Sequence, residues 1–185
     1  MASYLALLRG INVGSANRIR MEDLRRLFEQ AGCSRVETYI QSGNVLFDTP
    51  LEESELTPKL EDLLKSGAAI QTSVILRSAE ELRLAVSRLP FSADEIAAAC
   101  AHNLEGETLY LLFAAKPPNP ETLEKVCGPT GTEDRFRVVG RDAYLLLSQS
   151  IRNSKLAVRL QDALSPVTAR NWNTALQLLE RMNAR

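Results

Sequence analysis

The chain has 185 residues, of which 45% are hydrophobic and 24% are charged, and its formal net charge is −1. This apolar content is too high for a disordered chain, and no run approaches the roughly 18 to 20 apolar residues that a membrane-spanning helix needs. The near-zero net charge gives no sign of bulk binding to nucleic acid or to a membrane. The length fits one domain or two small ones.

The charges are unevenly distributed along the chain. Residues 1–47 hold 6 basic and 4 acidic side chains, residues 48–149 hold 10 and 17, and residues 150–185 hold 6 and 2. The balances of the three segments are therefore +2, −7 and +4. This asymmetry favours a local anion-binding surface built from the two ends of the sequence.

Three cysteines, Cys33, Cys100 and Cys127, are too far apart to form a zinc motif. We expect reduced and mostly buried thiols in a cytoplasmic protein. The N-terminal segment lacks a basic region and has an apolar run of only five residues, so we do not interpret it as a signal peptide.

The first part of the chain predicts strand, helix, strand, strand, helix and strand in that order. Helical spacing of apolar residues predicts one helix from Met21 to a terminal Gly32 and another that ends near Gly67. The cap of the second helix is either Ser54 or Thr57, the latter with a proline at the first helical position. Short apolar runs predict the strands, which cover residues 4–8, 36–40, 45–47 and 70–76.

Two Ser-x-x-Glu capping boxes, which begin at Ser78 and Ser92, predict two further helices. The second of these helices is rich in alanine and ends near His102. We interpret residues 78–106 as a helical connector.

The same order of elements then repeats. Helices capped by Asn119, which ends before Gly128, and by Ser154 alternate with strands, and a last helix carries Trp172 on its apolar stripe. The predicted strands cover residues 108–114, 135–139, 143–147 and 167–169.

Each copy has the element order of the split βαβ, or ferredoxin-like, unit. We therefore predict an α+β fold with two ferredoxin-like subdomains packed together, over residues 1–77 and 107–185, joined by the connector helices. The main alternative is a single α/β sheet. Tight hairpins near Gly43 and Gly140 count against an all-parallel sheet.

Five ordered motifs carry a resemblance to a known family. Across nearly the whole chain the sequence resembles the bacterial domain-of-unknown-function family DUF1697. The resemblance implies a pair of ferredoxin-like subdomains, and it implies no established activity, substrate or catalytic residue. Ser15 departs from the family pattern, since members often have a second glycine there. The motifs are Arg9-Gly-Ile-Asn-Val-Gly, Met21 with Leu24, Thr38-Tyr-Ile-Gln-Ser-Gly-Asn, Ser154-Lys-Leu and Thr168-Ala-Arg-Asn-Trp-Asn-Thr.

The loop after the first strand is the strongest candidate for a functional segment. It places polar side chains around two glycines, just before a predicted helix start, where free N–H groups attract phosphate or carboxylate. Arginine adds a bidentate fork for the same anions. The spacing is neither Walker A nor GxGxxG, so it predicts neither ATP nor NAD, and we expect no cofactor. The alternative is a structural loop with exposed arginines. The candidate ligand-binding residues are Arg9, Asn12, Asn17, Arg18 and Arg20.

A second basic segment lies near two later helix starts and contains Ser154, Lys155, Arg170 and Asn171. The alternative interpretation is a capping serine, a solvated lysine and a tryptophan anchored in the core. Our sharper hypothesis is that this segment and the first loop converge. They would then form one basic cleft between the subdomains for a small anionic ligand.

The segment from Gln41 to Asn44 is polar and suits a tight turn by itself. We take the first and third strands of a ferredoxin-like unit to run parallel. On that basis the hairpin lies at the opposite end of the sheet from the first loop. The two motifs are therefore predicted not to share a site.

Catalytic constellations are missing from the motifs. The single histidine, His102, lies outside all of them, and no paired carboxylates fall inside them, so we predict no metal site and leave open whether the protein is an enzyme. Binding of a small anionic ligand is the favoured function. The alternatives are a nucleic-acid binding module and a homo-oligomeric interaction protein without a ligand. We expect a monomer or a homodimer with no membrane partner.

Overall fold

A computed structural model describes residues 1–14, 17–104, 106–126 and 133–185. The chain divides into two compact units, which we call unit 1 (Met1–Leu84 with Leu178–Arg185) and unit 2 (Ala85–Gln177). This division falls beyond residue 77, where the sequence placed the end of the first subdomain. Cys127 and the predicted helix-ending Gly128 lie outside the described residues.

Unit 1 contains the predicted order of strands and helices. The elements are β1 (Ala2–Leu8), α1 (Met21–Gln30), β2 (Ser34–Tyr39), β3 (Asn44–Thr49), α2 (Glu53–Ala68) and β4 (Val74–Ser78). The sheet has the strand order β2-β3-β1-β4, and every neighbouring pair is antiparallel. Two helices cross over between the strands, as in the ferredoxin-like unit.

The core of unit 1 forms where α1 and α2 cover one face of the sheet. Alternate residues of β1 point to this face, and Ala6 and Leu8 are fully buried there. The ring of Phe28 on α1 meets the ring of Phe47 on β3 edge to face, with centroids 5.2 Å apart. The core therefore fixes both helices against β1, whose end leads into the first loop.

Unit 2 repeats this topology. The remaining elements of the chain are α3 (Ala79–Ser87), α4 (Ala93–His102), β5 (Leu109–Ala114), α5 (Pro120–Glu124), β6 (Arg135–Val139), β7 (Asp142–Leu146), α6 (Lys155–Ala163), β8 (Val167–Asn171) and α7 (Trp172–Asn183). The sheet of unit 2 has the order β6-β7-β5-β8, again with antiparallel neighbours. The predicted α+β fold with two ferredoxin-like units is thus confirmed.

Helix caps account for where many of these helices begin. At four of the predicted caps a side-chain oxygen accepts a hydrogen bond from a backbone N–H of the first turn, which satisfies a group that the helix leaves unpaired. Two of them complete a capping box with the glutamate three residues on. The confirmed caps are Ser78 at α3, Ser92 at α4, Asn119 at α5 and Ser154 at α6.

The predicted start of α2 is wrong. The helix begins at Glu53, so neither Ser54 nor Thr57 caps it, and Pro58 lies inside it. Proline removes one helical hydrogen bond, but Leu56 is fully buried a turn before Leu60, so packing of the apolar stripe extends the helix through the proline.

The start of β4 also differs from the prediction. The N–H of Ile70 donates to the carbonyl of Leu64 at 3.0 Å, which closes the end of α2. The strand therefore begins only at Val74. Residues 71–73 are left as a connection between α2 and β4, at the same end of the sheet as the first loop.

The last turns of α7 belong to unit 1 and contact its edge strand β2. Arg181 forms an ion pair with Glu37, and its guanidinium lies over the ring of Tyr39, 4.5 Å from the centroid. A side-chain nitrogen of Arg185 donates to the backbone carbonyl of Arg35 at 2.6 Å. These contacts fasten residues 178–185 to unit 1.

Asp48 on β3 lies at the centre of this attachment. Its carboxylate is buried and accepts hydrogen bonds from the Ser3 hydroxyl at 2.7 Å and from Arg35, and it pairs with Arg185. Burial by itself raises the pKa of the Asp48 carboxyl. The hydrogen bonds from Arg35 and Ser3 and the two arginine charges outweigh burial, so the pKa lies below its ordinary value.

We predict that Asp48→Asn lowers the free energy of unfolding by about 2 kcal/mol at pH 7, because it removes a buried carboxylate with charged partners. The native pKa is lower than that of the unfolded chain, about 3.9, so the contribution is present above about pH 4 and disappears as pH falls through the native value. Urea unfolding of both proteins between pH 7 and pH 3 measures this difference. The matched control is Glu22→Gln, which breaks an exposed pair with Arg26 and should cost less than about 0.5 kcal/mol. A loss that is the same at pH 7 and pH 3 would contradict the assignment.

Candidate functional site

The first loop (residues 9–20) and the hairpin loop (residues 40–43) lie at the same end of the sheet of unit 1. β1 and β3 are antiparallel, with Leu7 opposite Asn44, and the N–H of Leu8 donates to the carbonyl of Gly43 at 2.8 Å. The prediction that the two motifs lie at opposite ends is wrong. The crossover through α1 makes β1 and β2 parallel, and the hairpin then reverses β3.

The side chain of Asn12 joins the two loops. Its Nδ2 donates to the carbonyls of Ile19 at 3.1 Å and of Gln41 at 3.0 Å, and its Oδ1 accepts from the N–H of Ile19 at 2.9 Å. Asn12 adopts a left-handed backbone conformation, with φ +56°, which asparagine tolerates better than most residues. The predicted ligand residue Asn12 therefore holds the loops in place, and any direct contact with a ligand stays a prediction.

Gly43 is required by close packing at this junction. Its φ is +74°, and a Cβ added there would lie 2.9 Å from the Cβ of Leu8 and 3.1 Å from that of Ile11. The neighbouring Ile40 also has a positive φ of +50°, an unusual conformation for a β-branched residue, and its side chain is exposed. The hairpin loop thus adopts a costly conformation that brings it against the first loop.

Two surface depressions flank the first loop, each with a volume of about 540 Å³. The α1-side depression is lined by Asn12, Arg18, Ile19, Arg20, Met21, Asp23, Gln41, Gly67 and Ala68. The α2-side depression is lined by Arg9, Gly10, Asn17, Glu61, Asp62, Lys65, Gln71, Thr72 and Ser73.

The α1-side depression has a surplus of positive charge. Arg18 and Arg20 are both exposed, and Asp23 is the one acid among the lining residues. The Nε of Arg18 donates to the carbonyl of Gly14 at 3.1 Å. Arg20 precedes α1 without capping it, and within the described ranges its side chain makes neither a hydrogen bond nor an ion pair. Its guanidinium is therefore available to an anion.

The predicted site residues of unit 1 thus fall into two groups. The structure places Asn12, Arg18 and Arg20 at the α1-side depression and Arg9 and Asn17 at the α2-side depression.

Several lining residues escaped the sequence prediction, and the incorrect strand direction is the reason for one of them. Gln41 would have joined the first loop if β1 and β3 had been taken as antiparallel. Gln71 and Thr72 gave no signal, because only the late start of β4 leaves them beside the loop, and Lys65 lies on α2, whose position against the loop depends on the fold.

In unit 2, Ser154 is part of a buried hydrogen-bond network around Asp134. Its hydroxyl donates to that carboxylate at 2.7 Å and accepts from the N–H of Ala157 at 3.1 Å, whereas the side chain of Lys155 is exposed. Burial by itself raises the pKa of the Asp134 carboxyl. Hydrogen bonds from Gln149, Ser154 and Ser148 have the larger opposite effect together, so the pKa lies below its ordinary value. Ser154 therefore acts as a helix cap held by a buried acid.

Arg170 and Asn171 are also engaged within unit 2. Arg170 is only 8% exposed and donates to the Thr168 hydroxyl at 2.7 Å and to the Ala169 carbonyl at 2.8 Å. Burial lowers its pKa to about 10, so it is still charged at neutral pH. Asn171 accepts from the N–H of Thr174 at 2.8 Å. The predicted convergence of these residues with the first loop stays a prediction.

The described cysteines differ from each other. Cys33 is buried, and burial raises its pKa to about 11 despite an opposing effect of Lys59, so its thiol stays protonated. Cys100 is exposed, contrary to the expectation of mostly buried thiols.

Among the described residues no group of histidine, cysteine and carboxylate side chains could hold a metal ion. Across those same ranges, every helix is too short or too polar to cross a bilayer.

We predict that Gly43→Ala destabilises the protein by about 1–3 kcal/mol more than Gly140→Ala. Both glycines have positive φ in a hairpin, so both variants pay about 1 kcal/mol for the left-handed conformation. A Cβ at Gly140 has no neighbour within 4 Å, whereas one at Gly43 meets Leu8 and Ile11. Urea unfolding measures the difference, and equal losses in the two variants would contradict the packing argument.

Comparison with known proteins gives a fold and a family. No curated protein matches the chain. The chain is similar to a solved structure, that of the conserved bacterial protein SP0830 from Streptococcus pneumoniae, with a TM-score of 0.74 and 22% identity over 98% of each chain. At that identity the likeness shows the fold alone. The family described as protein of unknown function (DUF1697) matches residues 1–144, and the chain therefore belongs to that family.

Proposed function

We propose that unit 1 binds a small anionic ligand, with a phosphate or carboxylate group, in the α1-side depression. The observation that carries this proposal is the position of Arg18 and Arg20, two exposed guanidinium groups that line one depression of about 540 Å³. A guanidinium presents a planar fork of N–H donors that matches both kinds of anion.

The surroundings of the two arginines support this proposal. The backbone N–H groups in the first turn of α1 donate no capping hydrogen bond to the Arg20 side chain. These N–H groups and the helix dipole favour a negative charge nearby. Asp23 lies in the same turn and opposes an anion, so we assign recognition to the arginines rather than to the helix end. Asn12 holds the loops that carry Arg18 and Gln41, so the donors are positioned before a ligand arrives.

The cysteines bear on the cellular compartment in which the protein acts. The exposed thiol of Cys100 is compatible with a reducing compartment, where disulfides are rare. We propose that the protein acts in the cytoplasm, where phosphorylated and carboxylated metabolites are plentiful.

The ¹⁵N-labelled full chain is titrated separately with inorganic pyrophosphate, as a phosphate probe, and with succinate, as a carboxylate probe. We predict that at least one of the two gives saturable shifts of the amide signals of Met21 and Gln41. Arg20→Ala should weaken binding roughly tenfold, or about 1.4 kcal/mol, because it removes a charged donor. The matched control is Arg25→Ala, an exposed arginine on the solvent side of α1, which should bind as the wild type does.

Three results would contradict the proposal. The first is the absence of shifts at those amides with either anion at millimolar concentration. The second is an Arg25→Ala variant that weakens binding as much as Arg20→Ala does. The third is binding of a different partner at this surface. A DNA or RNA oligonucleotide that binds with steep salt dependence would favour a nucleic-acid module instead. Self-association in sedimentation without any anion effect would favour a homo-oligomeric interaction protein.

A further inference from the structure

We infer that the α2-side depression is a separate binding site, which takes a small zwitterion carrying one ammonium and one carboxylate group, the chemistry of a free amino acid. This site shares the first loop with the proposed anion site but has a different lining. The inference therefore does not depend on anion binding in the α1-side depression.

The charges of the lining cancel. Arg9 and Lys65 contribute two positive charges, and Glu61 and Asp62 contribute two negative ones. A simple anion or cation gains little net attraction from such a lining, because it is repelled by as many charges as attract it. A zwitterion satisfies both signs when its ammonium lies toward the carboxylates and its carboxylate toward the cations.

Two of these opposite charges remain apart although they are close in sequence. Asp62 and Lys65 lie three residues apart on α2, a spacing at which an acid and a base often pair. Both side chains are exposed, and within the described part of the chain neither forms an ion pair or a side-chain hydrogen bond. Each is therefore available to the complementary end of one ligand.

The walls of the depression are fixed by hydrogen bonds. The N–H of Arg9 donates to the carbonyl of Ser73 at 3.2 Å, and the Thr72 hydroxyl donates to the carbonyl of Arg9 at 2.6 Å. The Glu61 carboxylate accepts from the N–H of Val74 at 2.9 Å, which holds this acid beside the start of β4. Arg9, α2 and residues 71–73 are thus joined before a ligand binds.

Unit 2 supplies an internal comparison at the same position of the fold. There the N–H of Ala115, just after β5, donates to the carbonyl of Pro166, just before β8, at 3.0 Å. This bond corresponds to the one between Arg9 and Ser73. The depression beside it has a volume of only about 190 Å³ and is lined by Lys116, Pro117, Pro118, Asn119, Thr122, Ala163, Leu164, Ser165 and Pro166.

Among the described residues that line the counterpart in unit 2 there is no carboxylate side chain, and Lys116 is the single cation. The same strand connection therefore forms without the balanced charges of Glu61, Asp62 and Lys65. Since the fold does not need these charges at this position, recognition of a dipolar ligand is the role that we assign to them in unit 1.

The test is a titration of the ¹⁵N-labelled full chain with L-alanine, with acetate and methylammonium as probes that carry one charge each. We expect L-alanine to give saturable shifts at the amides of Gln71, Thr72 and Ser73, and each single-charge probe to bind at least tenfold more weakly. Asp62→Asn and Lys65→Gln should each weaken alanine binding at least tenfold. Both residues are exposed, so both variants should fold.

Lys116→Gln in unit 2 is the matched control and should leave alanine binding unchanged. Arg20→Ala should also leave it unchanged, which separates this site from the proposed anion site. Acetate binding as tightly as alanine would make this an anion site and overturn the inference, and equal binding of methylammonium would overturn it in favour of a cation site. Absence of saturable shifts with alanine would overturn it outright.

Discussion

The antiparallel pairing of β1 with β3 is the constraint on which the rest of unit 1 depends. It brings the end of β1 and the start of β3 to one end of the sheet, so the first loop and the hairpin loop must meet. Asn12 makes use of this proximity through hydrogen bonds to Ile19 and Gln41, and Gly43 allows the backbones to approach. Both depressions are consequences of this contact, since each uses the first loop as one wall.

The two units show what the ferredoxin-like frame requires and what it leaves free. Both have the same strand order. In both, the residue after the first strand donates a backbone hydrogen bond to the residue before the fourth strand. Unit 1 lines its α2-side depression with the charged side chains of Arg9, Glu61, Asp62 and Lys65, whereas the described lining of the counterpart in unit 2 is largely proline and aliphatic. Of the predicted residues near β8 and α6, Arg170 is buried and the Ser154 hydroxyl donates to the Asp134 carboxylate, whereas Lys155 is exposed. We therefore place both proposed binding sites in unit 1.

Much of the fold was predictable because local signals agreed with it. Capping serines, apolar spacing and turn glycines determined the element order, and Ser92 and Ser154 cap helices as predicted. The start of α2 was not predictable, because burial of Leu56 overrides the proline at position 58. The candidate site was predicted only in part: local sequence identified the first loop, but the partner of Asn12 is far away in the chain and depends on strand direction. Burial of Arg170 likewise depends on tertiary structure, which sequence spacing does not report.

Asn12 joins the first loop to the hairpin loop through hydrogen bonds to Ile19 and Gln41, and we propose that this geometry is the one that binds the anion. The most direct measurement compares pyrophosphate and succinate binding by Asn12→Ala and by the wild type, with the unfolding free energy measured on the same samples. Arg18 and Arg20 keep their charges in this variant, so a purely electrostatic surface would bind unchanged. We expect binding to weaken at least tenfold at a pH and temperature where the variant remains folded. Wild-type affinity in a folded Asn12→Ala protein would contradict this role of Asn12.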